Sequence, residues 1–170
     1  FALPRRLRNG MLLLASLLFY AWGEPRFVLV LLVSLLGNYA LGRLVAARRG
    51  PTAAAARMPL VLALVFNLGL LACFKYASFL WELLRACVPL PELEPVPLPI
   101  GISFFTFQAL SYVVDVHRRD APAQKNPLDF ALYVALFPQL IAGPIVRYKD
   151  VAEQLVRRSV DRAGLASGVR

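Results

Sequence analysis

The sequence predicts an all-helical, polytopic membrane protein with about four transmembrane helices and one broken or re-entrant helical segment. Three observations predict it. Hydrophobic residues make up 59% of the 170, above the roughly 45–50% of a typical soluble domain. They are gathered into separate stretches near the ~20 residues that span a bilayer core as helix, not spread as amphipathic stripes. Breakers and basic clusters part those stretches, as at Gly23-Glu24-Pro25 and Arg48-Arg49-Gly50-Pro51.

The first stretch, Met11 to Trp22, follows Arg5, Arg6 and Arg8 and ends at Gly23-Glu24-Pro25, where glycine and proline stop a helix. It is short for a crossing unless Leu7 and its neighbours join it. The second, Phe27 to Ala47, is long enough, carries only Asn38 and Arg43 as strongly polar members, and is expected to form a tight hairpin with the first. The third runs from Met58 to about Leu84 through Asn67, Lys75 and Glu82. It reads as one long tilted helix or as a helix with an interfacial extension, and Lys75 can snorkel to an interface.

Val88 to Pro99 holds five prolines, which lack the amide donor a helix needs and clash with the preceding turn, so an extended loop is expected. The fourth stretch, Ile100 to Val116, interleaves Phe104, Phe105, Phe107 and Tyr112 with Ser103, Thr106, Gln108 and Ser111. The fifth, Leu128 to Val146, contains Pro138-Gln139 and Gly143-Pro144. Two such breakers argue against a straight spanning helix; irregular backbone at membrane depth is tolerated only where protein or a wet cavity covers it.

Loop charges test this layout. With Arg5, Arg6 and Arg8 cytoplasmic, the loops at 43–57 and 117–127 fall inside with most of the basic residues, and those at 23–26 and 85–99 fall outside, as the positive-inside rule asks. Arg147, Lys149, Arg157, Arg158 and Arg162 break the rule if the fifth stretch spans, and obey it if that stretch enters and leaves on the cytoplasmic face. The net charge of +9 is therefore a loop property and does not indicate nucleic acid. Cys73 and Cys87 show no metal spacing or disulfide framework and are expected to be packing residues. The chain opens at Phe1 without an initiator Met and stops at Arg170 in a polar segment, so a piece of something longer is expected.

No phosphate-cradling loop, nucleophile elbow or metal-ligand cluster is found. His117 sits in the last turn of the fourth helix, where the dipole favours it, and a structural role is the stronger reading. Gln108, Tyr112, Asp115, Gln139 and Arg147 are more informative, because intramembrane polar groups are costly and mark pathways or sites, or else bond helix to helix. Gln108 and Tyr112, four apart, share one helix face. Asp115 is expected to pair with Arg118 or Arg119.

The run from Leu98-Pro99-Ile100-Gly101-Ile102-Ser103-Phe104-Phe105-Thr106-Phe107-Gln108 to Tyr112 and Asp115, then Phe137-Pro138-Gln139-Leu140-Ile141-Ala142-Gly143-Pro144-Ile145-Val146-Arg147-Tyr148, resembles the signature of membrane-bound O-acyltransferases. Ala15-Ser16-Leu17-Leu18-Phe19-Tyr20-Ala21-Trp22-Gly23-Glu24-Pro25 and Phe74-Lys75-Tyr76 resemble the alginate O-acetylation branch. The resemblance implies a bacterial inner-membrane enzyme that passes an acyl group from a cytoplasmic thioester such as acetyl-CoA, with no bound cofactor, to an extracytoplasmic polysaccharide. It implies a ring of helices around a thinned centre, of which residues 1–170 are the N-terminal part of one domain lacking a first helix. A periplasmic acetyltransferase partner protein is also implied.

Gln108, Tyr112, Pro138, Gln139, Gly143, Pro144 and Arg147 are the candidate residues lining the acyl pathway. The family's essential histidine lies beyond residue 170, so no catalytic residue is assigned here and the piece alone is expected to be inactive. The alternatives are a transporter segment, since broken helices also build transporter sites, and a non-catalytic membrane scaffold for a partner subunit. A downstream intramembrane histidine argues for the acyltransferase; a repeat of this half argues for the transporter.

Overall fold

The computed structural model describes residues 5–48, 54–92, 94, 97–143 and 146–156, and every regular element among them is helical. Helix α1 (Arg5–Gly23) begins before Met11, so Leu7 and its neighbours do join it. The Gly23-Glu24-Pro25 breaker then turns the chain, with the Glu24 N–H donating to the Tyr20 carbonyl at 2.8 Å and the Phe27 N–H to the Glu24 carbonyl at 3.1 Å. Helix α2 (Val28–Ala47) follows.

The expected tight hairpin is corrected: α1 and α2 share little contact beyond their turn. The reason lies in their faces. Helix α2 buries Leu31, Leu35, Asn38 and Gly42, a stripe suited to its packing against the third and fifth stretches, while α1 turns Asn9, Leu13, Ser16 and Tyr20 inward against the broken segment.

Helix α3 (Ala54–Leu71), a five-residue π-helical turn (Ala72–Tyr76) and helix α4 (Ala77–Cys87) run on as one continuous helical rod. At 1.5 Å per residue its 33-residue apolar span is about 50 Å long, more than the ~30 Å hydrocarbon core, which fits both sequence alternatives, a long tilted helix and a helix with an interfacial extension. Among the described residues, it and Val28–Ala47 are the two helices long and apolar enough to cross a membrane. The rod buries a single stripe, Ala56, Pro59, Ala63, Asn67 and Leu71. Cys73 and Cys87 lie off that stripe and are exposed, which corrects the expectation that they pack inside. The π turn carries Lys75, whose Nζ stands 5.6 Å from the Tyr76 ring centroid.

The described residues between Val88 and Pro99 are non-helical, as their prolines require. Helix α5 (Ile102–Arg118) is the hub, packing on α2, on α3 and on the helices that follow it. Two close approaches seat α2: Gly42 lies against the Tyr112 ring, and a Cβ on Gly37 would come within 2.7 Å of Phe66. Asn38 and Asn67 exchange amide hydrogen bonds of 3.0 and 2.7 Å between α2 and α3.

The fifth stretch is broken as its prolines predict, into helix α6 (Pro127–Ala135) and helix α7 (Phe137–Ala142). Asn126 caps α6, its side-chain oxygen accepting from the Leu128 N–H at 3.1 Å, with Pro127 at the first helical position, where its missing N–H costs nothing. Leu136 adopts φ −60 and ψ 120, because Pro138 can neither donate to the preceding turn nor fit against its carbonyl. Helix α8 (Tyr148–Val156) completes the described chain.

Candidate functional site

The broken segment folds back on itself along α1. At its start, Asp129 accepts a 2.8 Å hydrogen bond from the Asn9 Nδ2 amide. At the break, the Phe137 N–H, left without a helical acceptor, donates to the Ser16 hydroxyl oxygen at 3.2 Å. Near the tip, the Leu140 carbonyl lies against Gly101, and the neighbouring Ile100 carbonyl accepts from the Tyr20 hydroxyl at 3.1 Å.

The return is not helical at Gly143, Val146 or Arg147. The Tyr133 hydroxyl donates to the Val146 carbonyl at 2.9 Å across the two legs, and the Leu155 carbonyl of α8 accepts from the same Asn9 amide at 3.4 Å. Residues 129 and 155 thus meet one end of α1. The tip is level with Tyr20, about 16 Å further along at 1.5 Å per residue.

A cavity of about 360 Å³ lies where this hairpin leans on α1 and α8, lined by Leu12, Leu132, Tyr133, Leu136, Gln139, Val151 and Leu155. Five of these seven side chains are aliphatic, so the wall offers one amide and one phenol. At the inner end sits an aromatic cluster: the Tyr112 ring centroid is 4.6 Å from Phe130 and 4.8 Å from Tyr148, and Tyr148 is 5.3 Å from Tyr133. Burial first, then the neighbouring phenols, pushes the Tyr148 hydroxyl above its ordinary value, so it stays neutral across the physiological range.

The candidate residues divide. Gln139 lines the cavity, and Gly143 folds onto it so closely that a Cβ there would stand 2.5 Å from the Gln139 Cα. Pro138 is exposed beside the break and Arg147 is exposed on the return. Gln108 and Tyr112 share the buried face of α5, as their spacing predicts, but they face the legs of the hairpin, not the cavity. The Gln108 Nε2 amide donates to the Tyr133 carbonyl at 2.8 Å, and the Tyr112 hydroxyl accepts from the Gln124 N–H at 3.1 Å. Pro144 lies outside the described residues.

Asp115 makes no close ion pair with Arg118 or Arg119, which corrects the expected pairing, although Arg118 lies within coulombic reach of it. Arg119 leaves the helix in the left-handed region at φ 70, and both arginines are exposed. The buried Asp115 Oδ2 has no hydrogen-bond partner, and neither does His117 Nδ1. Arg147 and Lys149 lie within coulombic reach of Asp115. Among the described residues no group of His, Cys, Asp and Glu is placed to hold a metal ion.

Asn9, Asp129 and Tyr133 were not singled out by the sequence, and Ser16, Tyr20 and Tyr148 entered only within the stretches that carry the family resemblance. Asn9, Ser16 and Tyr20 carried a further signal, since spacings of seven and four residues place them on one helical face. Asp129 and Tyr133 had none, because they meet their partners across a chain reversal.

No protein-family model matches the chain, and no solved structure matches it. It is 42% identical over 160 residues to the probable alginate O-acetylase of Pseudomonas syringae pv. tomato, covering 91% of this chain and 31% of that protein. It is 42% identical over 161 residues to the probable alginate O-acetylase of Azotobacter vinelandii, covering 92% of this chain and 32% of that protein. The peptidoglycan O-acetyltransferase of Helicobacter pylori is 32% identical over 174 residues, covering 84% of this chain and 32% of that protein. The chain spans about a third of the length of the curated relatives it matches.

Proposed function

We propose, from this chain's place among the alginate O-acetylases of the membrane-bound O-acyltransferase family, that it is the N-terminal part of a multi-pass acetyltransferase domain in the bacterial inner membrane. The whole protein takes an acetyl group from a cytoplasmic thioester such as acetyl-CoA and delivers it to a hydroxyl of an extracytoplasmic polysaccharide such as alginate. In that transfer the acyl C–S bond breaks, an ester C–O bond forms, and the acceptor hydroxyl gives its proton to a base. By the family resemblance that base is a histidine beyond residue 170, and an extracytoplasmic acetyltransferase protein is the partner that completes delivery.

Four crossings and a re-entrant 128–146 segment are the arrangement we favour. The observation that carries the reading is the hairpin held by α1. Asn9 touches both Asp129 and Leu155, so the segment leaves and regains one end of α1, and its depth of about 16 Å is half of the ~30 Å hydrocarbon core. Such a hairpin thins the barrier an acyl group must cross. It also sets Gln139, which is engaged within the fold, on the largely apolar wall of the cavity, where its loss would disturb the packing of the hairpin.

The test is polymer O-acetylation in cells expressing the full-length protein, comparing wild type with Gln139→Ala and Arg147→Ala at matched membrane levels. We expect at least about a tenfold loss of acetyl ester for Gln139→Ala, the scale of one lost stabilising contact in a transition state. Full acetylation by both variants would reduce the hairpin to scaffold.

A further inference from the structure

We propose that the cavity between α1, α6, α7 and α8 holds one hydrocarbon chain of an anionic phospholipid, with its phosphate on Arg8. The inference requires only that α1 lies in the membrane, and does not depend on acyl transfer.

The chemistry of the wall selects the tail. Leu12, Leu132, Leu136, Val151 and Leu155 line it. Tyr133 spends its hydroxyl proton on the Val146 carbonyl, and Gln139 is already engaged within the fold. A polar ligand would therefore leave its own groups unmatched, at a cost of a few kcal/mol each, whereas a hydrocarbon chain gains burial. Leu12 lines the cavity and is also 39% exposed, so the cavity reaches the outer face of α1. That face carries exposed Met11, Leu14 and Leu18, and in a membrane it meets lipid tails.

The charges select the head. Arg8 stands one turn before Leu12, on the same helix face, and its Nε is shielded from solvent with no hydrogen-bond partner. Arg5 and Arg6 precede Arg8 in the sequence with no acidic residue among them, so the segment is basic throughout. A phosphate there relieves the stranded donor, and a basic segment flanking an apolar helix is where anionic lipid is attracted. A free phosphate accounts for Arg8 but not for the apolar cavity one turn away.

The experiment uses the full-length protein purified in detergent, stripped of lipid and exposed to dioleoylphosphatidylglycerol or dioleoylphosphatidylcholine. Bound lipid is read by native mass spectrometry and thermal stability is read in parallel. We expect wild type to retain phosphatidylglycerol in preference to phosphatidylcholine and to be stabilised by it. Leu12→Trp and Val151→Phe, which fill the cavity, should each cut retention about tenfold, while Leu18→Trp, on a lipid-facing position away from the cavity, should not. Arg8→Gln should abolish the preference for the anionic headgroup. Equal retention by Leu12→Trp, Val151→Phe and Leu18→Trp overturns the proposal. So does stabilisation by inorganic phosphate alone, or an absence of any lipid effect, which is the result expected if another part of the full-length chain fills the cavity.

Discussion

Gly101 answers two demands at one position. Its φ of 76 lies in the left-handed region, and a Cβ there would stand 2.5 Å from the Leu140 carbonyl oxygen, which is how α7 comes to rest against the start of α5. Gly101→Ala should therefore destabilise the full-length protein by about 1–3 kcal/mol, as strained backbone does; an unchanged melting curve in detergent would count against this packing. Ser16 acts at the break in the same way. Its hydroxyl accepts the part-buried Phe137 N–H, a bond contributing about 0.5–1.5 kcal/mol. We expect Ser16→Ala to lower acetylation at matched protein level and Ser16→Thr to restore it. Failure of threonine to restore activity where alanine lowers it would show that something other than this hydroxyl matters.

Among the elements, α2 and α3 are joined by the Asn38–Asn67 amide pair, fully buried between the two helices that pass for membrane spans. Side-chain hydrogen bonds between membrane helices average about 0.6 kcal/mol and reach about 1.7. A double-mutant cycle of Asn38→Ala and Asn67→Ala should return a coupling in that range, and strict additivity would deny that the pair stabilises the interface. The residues visible to sequence reasoning were those whose cost is paid locally. Pro138 and Gly143 announce the break of 128–146 without any knowledge of the fold. By contrast, the poor contact between α1 and α2 was invisible, because a turn fixes adjacency in sequence while complementary faces decide which helices pack.

At the scale of the molecule, the proposed re-entrance of the hairpin predicts a topology. In a full-length background carrying Cys73→Ser and Cys87→Ser, single cysteines at the exposed positions Arg119 and Lys149 should both react with an impermeant maleimide from the cytoplasmic face, and one at Arg26 only from the opposite face. Labelling of Arg119→Cys and Lys149→Cys from opposite faces would make the fifth stretch a crossing. The sequence by itself determined the all-helical membrane class, the order of the apolar stretches and the proline break, since each rests on hydrophobic length or on backbone rules spanning a few residues. Only the tertiary structure decided that Asn9 grips Asp129 across 120 positions, that Gln108 and Tyr112 brace the hairpin while Gln139 alone of the described candidates lines the cavity, and that Asp115 Oδ2 is buried without a hydrogen bond. Those contacts depend on how the chain reverses in space, and helical spacing tells which residues share a face but not what that face will meet.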